Sequence, residues 1–250
     1  MRGASAAGLC AALVVSWVAL YRFPLASPTR RRRVSLWLGD KTGVRADPAF
    51  AVFATLLYLF LGSIVVVVFM RATQTPYRKL LGHFRPTTSA ALILAILGTS
   101  SLNTLWIALL YKVRPGADVP GEISRIQWIS SILALPPYAR WMIPAVAAFV
   151  EELAFRGAAF LGMEHAGLSF GVAAGISTLL FFLGQVALVT TATQAFVMGT
   201  ASLTLGFTGT LLVAATGSVV PAIIVHASFA GFYSNMSTSS SASLQQVRAS

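Results

Sequence analysis

Residues 49–70 run for 22 positions without one charged side chain. At 1.5 Å rise per residue such a stretch makes a helix of roughly 33 Å, close to the hydrocarbon thickness of a bilayer. Lipid offers no partner to an unpaired backbone amide, so a segment of this kind crosses as a helix. The remainder of the chain is similar in character, with 56% apolar residues, 10% charged residues and a mean hydropathy of +0.78. Those values lie well outside soluble globular usage. The expected fold class is all-α, a polytopic membrane helix bundle of about seven or eight transmembrane helices.

Further apolar segments fall at about residues 3–21, 88–110, 142–162, 167–189, 195–215 and 218–233. The first has a basic Arg2 before it and a passable cleavage context at Leu25-Ala26-Ser27, so it reads either as a signal peptide or, preferably, as a retained anchor. The 88–110 segment carries Thr99, Ser100, Ser101, Asn103 and Thr104 in its middle, polar groups that would need partners from neighbouring helices or water, first of all as packing glue. Residues 111–125 contain Pro115, Gly116, Pro120 and Gly121 and read as a surface loop. Residues 126–135, ended by Pro136-Pro137, are too short to span and fit an interfacial or re-entrant helix or a shortened extra span. Gly167, Gly171 and Gly175 form a small-residue stripe expected to let helices approach closely. Residues 234–250 are polar and Ser-rich and read as a disordered tail. The division expected is therefore 1–141, N-terminal spans and basic loops; 142–233, a core; and 234–250, a tail.

The net charge of +11 raises the question of nucleic acid. Most of the Lys and Arg flank apolar segments, where positive-inside flanks and lipid headgroups account for them, so nucleic acid is not an expected partner. Seven basic residues between the first two spans, against one at the N-terminus, favour a cytoplasmic first long loop. Cys10 is the one cysteine, which rules out an intrachain disulfide. No CxxC pair or HExxH spacing is present, and neither a metal nor a cofactor is expected.

Of the seven acidic residues only Glu151 and Glu152 lie inside an apolar segment. A charged residue at the centre of a membrane helix costs roughly 2.5–3.5 kcal/mol to insert, so an adjacent pair there needs a reason. On an α-helix Glu152 and Arg156 are i, i+4 and can pair, while Glu151 points about 100° away and is left free. The pair reads as a fixed ion pair that sets helix register, as a site in which a buried carboxylate serves as general base, or as a proton relay in a transporter. His226 is the one histidine well inside an apolar segment, and Gly217-Ser218 with Pro221 would start its helix at a fixed depth. His83 sits in a basic loop, and His165 reads as a solvated helix-end residue.

Three motifs stand in order: Glu151-Glu152-Leu-Ala-Phe-Arg156-Gly157, then Ile176-Ser-Thr-Leu-Leu-Phe181-Phe182, then Thr216-Gly217-Ser218-Val-Val-Pro221 leading to His226. Their order and spacing resemble the CAAX protease and bacteriocin-processing family, the type II CAAX prenyl endopeptidases and their bacterial relatives, over about residues 142–233. The resemblance implies an intramembrane glutamate-dependent endopeptidase with Glu151 and Glu152 as the glutamate pair, Arg156 orienting it and His226 helping to stabilise the oxyanion. Two positions depart from the family pattern. Gln185 stands where a histidine follows Phe181 by four residues, and Ala230 stands where an asparagine follows His226. An amide can orient water but takes up no proton.

The expectation carried forward is a multi-pass integral membrane endopeptidase, in the plasma membrane if bacterial. Its partners would be membrane lipid and a peptide or lipidated-protein substrate, and its site Glu151, Glu152, Arg156, Gln185 and His226. The alternative is a non-catalytic relative that binds or chaperones a membrane partner. Oligomeric state is not readable.

Overall fold

The computed structural model describes residues 2–25, 27–82, 86–133 and 135–231. The expected tail from residue 234, and His83, lie outside the described residues. Among the described residues every regular element is helical. Four helices are long and apolar enough to cross a membrane: α1 (Gly3–Leu25), α3 (Ala46–Thr73), α5 (Pro86–Val113) and α12 (Ala192–Thr216). Two shorter apolar helices, α11 (Phe170–Val186) and α13 (Val220–Gly231), complete the apolar set with one composite helix. That composite runs as α9 (Met142–Glu152), a π-helical segment (Leu153–Leu161) and α10 (Gly162–His165) without a break. Each predicted apolar segment thus contains a helix among its described residues. The other described helices are α2 (Pro28–Thr42), α4 (Arg78–Leu81), α6 (Val119–Ser124), α7 (Gln127–Leu133) and the single turn α8 (Pro137–Arg140) between α7 and α9.

The basic stretch expected as a loop between the first two spans is a helix. Ser27 accepts the Arg30 amide at its start, Pro28 occupies its first turn, and Gly43 closes its end in the left-handed conformation. α2 packs along α3. Residues 111–125, expected as loop, also contain α6, which starts where Asp118 accepts the Gly121 amide. Its carbonyl at Glu122 accepts from Gln194 Nε2, and Glu122 Oε2 accepts from Thr191, which heads α12 with a capping box. Within the 126–135 segment lies the short helix α7, with Ile129 and Ile132 buried on it, Ile126 buried just before it and α3 beside it.

The composite helix runs through the middle of the molecule, against α3, α11 and α12. Around it one core gathers Cys10, Val14 and Trp17 of α1, Phe69 and Met70 of α3, Phe155 and Phe160 of the π-helical segment, and Phe181 of α11. The polar residues of α5 divide: Thr99 and Asn103 are buried and Thr99 donates to Thr208 Oγ1 of α12 at 3.4 Å, whereas Ser101 and Thr104 are exposed and Thr104 donates to the Ser100 carbonyl of its own helix.

The glycine stripe behaves otherwise than expected. Gly167 precedes α11 rather than lying on it, and Gly171 and Gly175 are exposed with open space where a side chain would stand. Close approach is made instead from α12. A Cβ on Gly206 would meet Thr178 Cγ2 at 2.5 Å, and one on Gly209 would lie 3.0 Å from Arg156 Nε and 3.2 Å from Glu152 Oε2. Only a residue without a Cβ lets that backbone reach the buried charges.

Candidate active site

Glu151 and Glu152 end α9, and Arg156 comes next inside the π-helical segment. All three are buried, Arg156 completely. A π-helical ladder bonds i to i+5 and leaves carbonyls that an α-helix would use, which is one reason such turns gather at functional sites. Here the Phe155 carbonyl accepts Ser177 Oγ of α11 at 2.5 Å. That bond ties the helix bearing the glutamates to the helix bearing Gln185.

Arg156 Nη1 stands 3.0 Å from Glu152 Oε1. The approach is an ion pair set off the line of a hydrogen bond, since no guanidinium nitrogen has an aligned acceptor. The guanidinium also lies over the Phe181 ring, 4.4 Å from its centroid, so the cation is held by a carboxylate and an aromatic face together. A buried pair of this kind adds little net stability, but removal of one partner strands the other and costs about 3–5 kcal/mol.

His226 comes from α13. The start of that helix is pinned twice to α4: Ser218 Oγ donates to the Leu81 carbonyl at 2.5 Å, and the Val219 amide to the Leu80 carbonyl at 2.9 Å. Ser218 Oγ also accepts the Val220 amide, which caps the helix. The depth expected from Gly217, Ser218 and Pro221 is set in this way. His226 Nδ1 reaches Glu152 Oε1 at 2.8 Å, and Nε2 faces Glu151 Oε2 at 3.7 Å. Phe181 meets the imidazole edge to face at 5.6 Å.

Helical spacing alone leaves Glu151 free, but the tertiary fold does not. Tyr58 Oη of α3 donates to its Oε1 at 2.5 Å, and Gln185 Nε2 lies 3.4 Å from both carboxylate oxygens. Tyr58 is the site residue that sequence reasoning missed. It is fixed by Trp17, whose Nε1 donates to the Tyr58 carbonyl at 3.1 Å and whose ring lies 4.7 Å away, and by Tyr21, edge-on at 5.1 Å. Both partners of this carboxylate, Tyr58 and Gln185, also line a small cavity with Trp17, Tyr21, Phe155 and Phe181 that has room for about one water molecule.

The structure therefore brings Glu151, Glu152, Arg156, Gln185 and His226 into one cluster. His165 stays outside it, exposed, with its ring 3.5 Å from Lys79 Nζ. Among the described residues no group of three or more His, Cys, Asp or Glu side chains is arranged to hold a metal ion.

Hydrogen-bond donors and a cation surround two adjacent carboxylates inside an apolar bundle, with water-sized space against two of the donors, Tyr58 and Gln185. That arrangement suits general-base activation of water, the chemistry of a membrane-embedded hydrolase. No curated protein and no solved structure matches the chain. Residues 133–232, which carry every polar group of the site except Tyr58, match the type II CAAX prenyl endopeptidase Rce1-like family.

Proposed function

We propose that the chain is an intramembrane glutamate-dependent endopeptidase acting on peptide or lipidated-protein substrates at the membrane. The observation that carries this reading is the convergence of Gln185 and His226 on the buried Glu151 carboxylate, with Gln185 also lining a water-sized cavity. In this reading Glu151 takes the proton of a water as it attacks the scissile carbonyl. Gln185 orients that water through its amide. His226, with a proton on each ring nitrogen, donates Nδ1–H to Glu152 and presents Nε2–H toward the position where the oxyanion develops. Arg156 holds Glu152, and so the imidazole, in place. In a bacterial cell the enzyme would work in the plasma membrane.

Protein purified in detergent and given prenylated and unprenylated peptides tests this. Glu151→Gln should lower kcat by about 10²- to 10⁴-fold, the usual worth of a general base. Cleavage that persists at the wild-type rate in that variant overturns the assignment. Gln185→His, which restores a titratable group beside Glu151, should raise the rate.

A second reading has one specific observation behind it. Tyr58 and Gln185 satisfy Glu151 with partners that accept no proton at neutral pH, as they would in a relative that binds its substrate without cutting it. Substrate capture with no turnover in either the wild type or Gln185→His selects that reading.

A further inference from the structure

A second, larger cleft lies outside the glutamate cluster. It encloses about 1010 Å³ counting its open mouth and is lined by Arg22 of α1, Arg31 of α2, Arg125 before α7, and Trp128 and Ser130 of α7. Its described lining residues include no carboxylate. Arg125 is drawn back by acids outside the cleft, at 2.6 Å from Glu122 and 3.6 Å from Asp118. Arg22 Nη1 donates to the Ala187 carbonyl at the end of α11, which spends one of its donors. Arg31 Nε is buried with no hydrogen-bond partner at all. A buried guanidinium donor left without an acceptor is costly, and it is satisfied when an anion with several oxygens enters.

The place of the cleft says what kind of anion. It sits where the apolar helices α1 and α11 run out and the polar α2 and α6–α7 segments begin, with Tyr21 and Trp128 on its wall. Aromatic rings with an apolar body and a polar edge settle at the headgroup level of a bilayer, and basic pockets at that level take phosphates of anionic lipids. Planar guanidinium forks fit phosphate oxygens better than a quaternary ammonium headgroup, which the same arginines would repel. We propose that this cleft binds the phosphate of an anionic phospholipid headgroup, with Arg31 and Arg22 as its ligands. Tyr21 and Leu188 are walls of both this cleft and the cavity beside Glu151, so a lipid seated there borders the entrance to the glutamate cluster.

Native mass spectrometry of the full chain in an uncharged detergent tests the site, with dioctanoyl phosphatidylglycerol, dioctanoyl phosphatidylcholine of the same acyl length, and inorganic phosphate as probes. Phosphatidylglycerol should bind about tenfold or more tighter than phosphatidylcholine, and Arg31→Gln should remove most of that preference. Ser130→Asp, which adds a carboxylate to the cleft while leaving its cations in place, should do the same. Glu151→Ala should bind as the wild type does, because the site is independent of catalysis. Partial displacement of the lipid by millimolar phosphate supports the headgroup as the source. Inorganic phosphate bound as tightly as the lipid supports the phosphate site and assigns it to a soluble phosphate ester. Equal binding of the two lipids, wild-type binding by both Arg31→Gln and Ser130→Asp, or occupation by a peptide carboxylate with no phosphatidylglycerol bound overturns the proposal.

Discussion

Tyr58 makes the shortest contact that Glu151 has, across 93 residues of chain. Its hydroxyl occupies one oxygen of the carboxylate and leaves the other toward His226, so in the proposed mechanism it sets which lone pairs face the water. Tyr58→Phe keeps the packing on Trp17 and Tyr21 and removes only that bond. A hydrogen bond to a charged group contributes about 1.5–3 kcal/mol, so kcat should fall about ten- to a hundredfold with KM little changed. Steady-state kinetics of the variant check this, and an unchanged kcat would mean that the tyrosine serves only as an aromatic wall. Glu151, Glu152, Arg156 and His226 were legible in the sequence because a charge or an imidazole in an apolar helix is expensive enough to demand a cause. Gln185 was legible through its spacing from Phe181. Tyr58 was not, because a tyrosine in an apolar span is ordinary packing until the tertiary fold brings a carboxylate to it.

At the scale of helices, α12 reaches the centre because two of its turns carry no side chain on the inner face. Gly206→Leu should push α12 away from Thr178 of α11 and lower stability by about 1–3 kcal/mol or more, as overpacking does. A drop in the detergent unfolding midpoint relative to Gly171→Leu, which faces open space, measures it. The sequence pointed to the wrong glycines: three at i, i+4 and i+8 make a regular pattern, but a pattern does not say which face is covered. Helix starts were there to be found in Ser27-Pro28 and Asp118, and the run of four arginines and the paired prolines and glycines pointed instead to loops. The apolar segments themselves were legible because length and hydropathy are local properties. The π-helical segment was not, since nothing in Leu153–Leu161 but its tertiary partners asks for a wider ladder.

Taken as a whole, the molecule builds the surroundings of its glutamate pair from both ends of the chain. α1 and α3 supply Trp17, Tyr21 and Tyr58 to the wall around Glu151, and Cys10 lies in the same core at 2% exposure. Cys10 should therefore react with a maleimide only when α1 leaves the bundle. In a denaturant titration its labelling should track loss of the site, and rapid labelling of the folded protein would show that α1 detaches on its own.

A helix in a bilayer usually tolerates no change in length, because one residue lost turns everything beyond it by about 100°. The nine-residue π-helical stretch is chain held in reserve. Deletion of a residue after Arg156 should be taken up by tightening that stretch toward an α-helix, leaving the glutamates where they are and the helix on its C-terminal side near its present orientation. Variation by shortening, and not just by substitution, is thereby open to this segment of the protein.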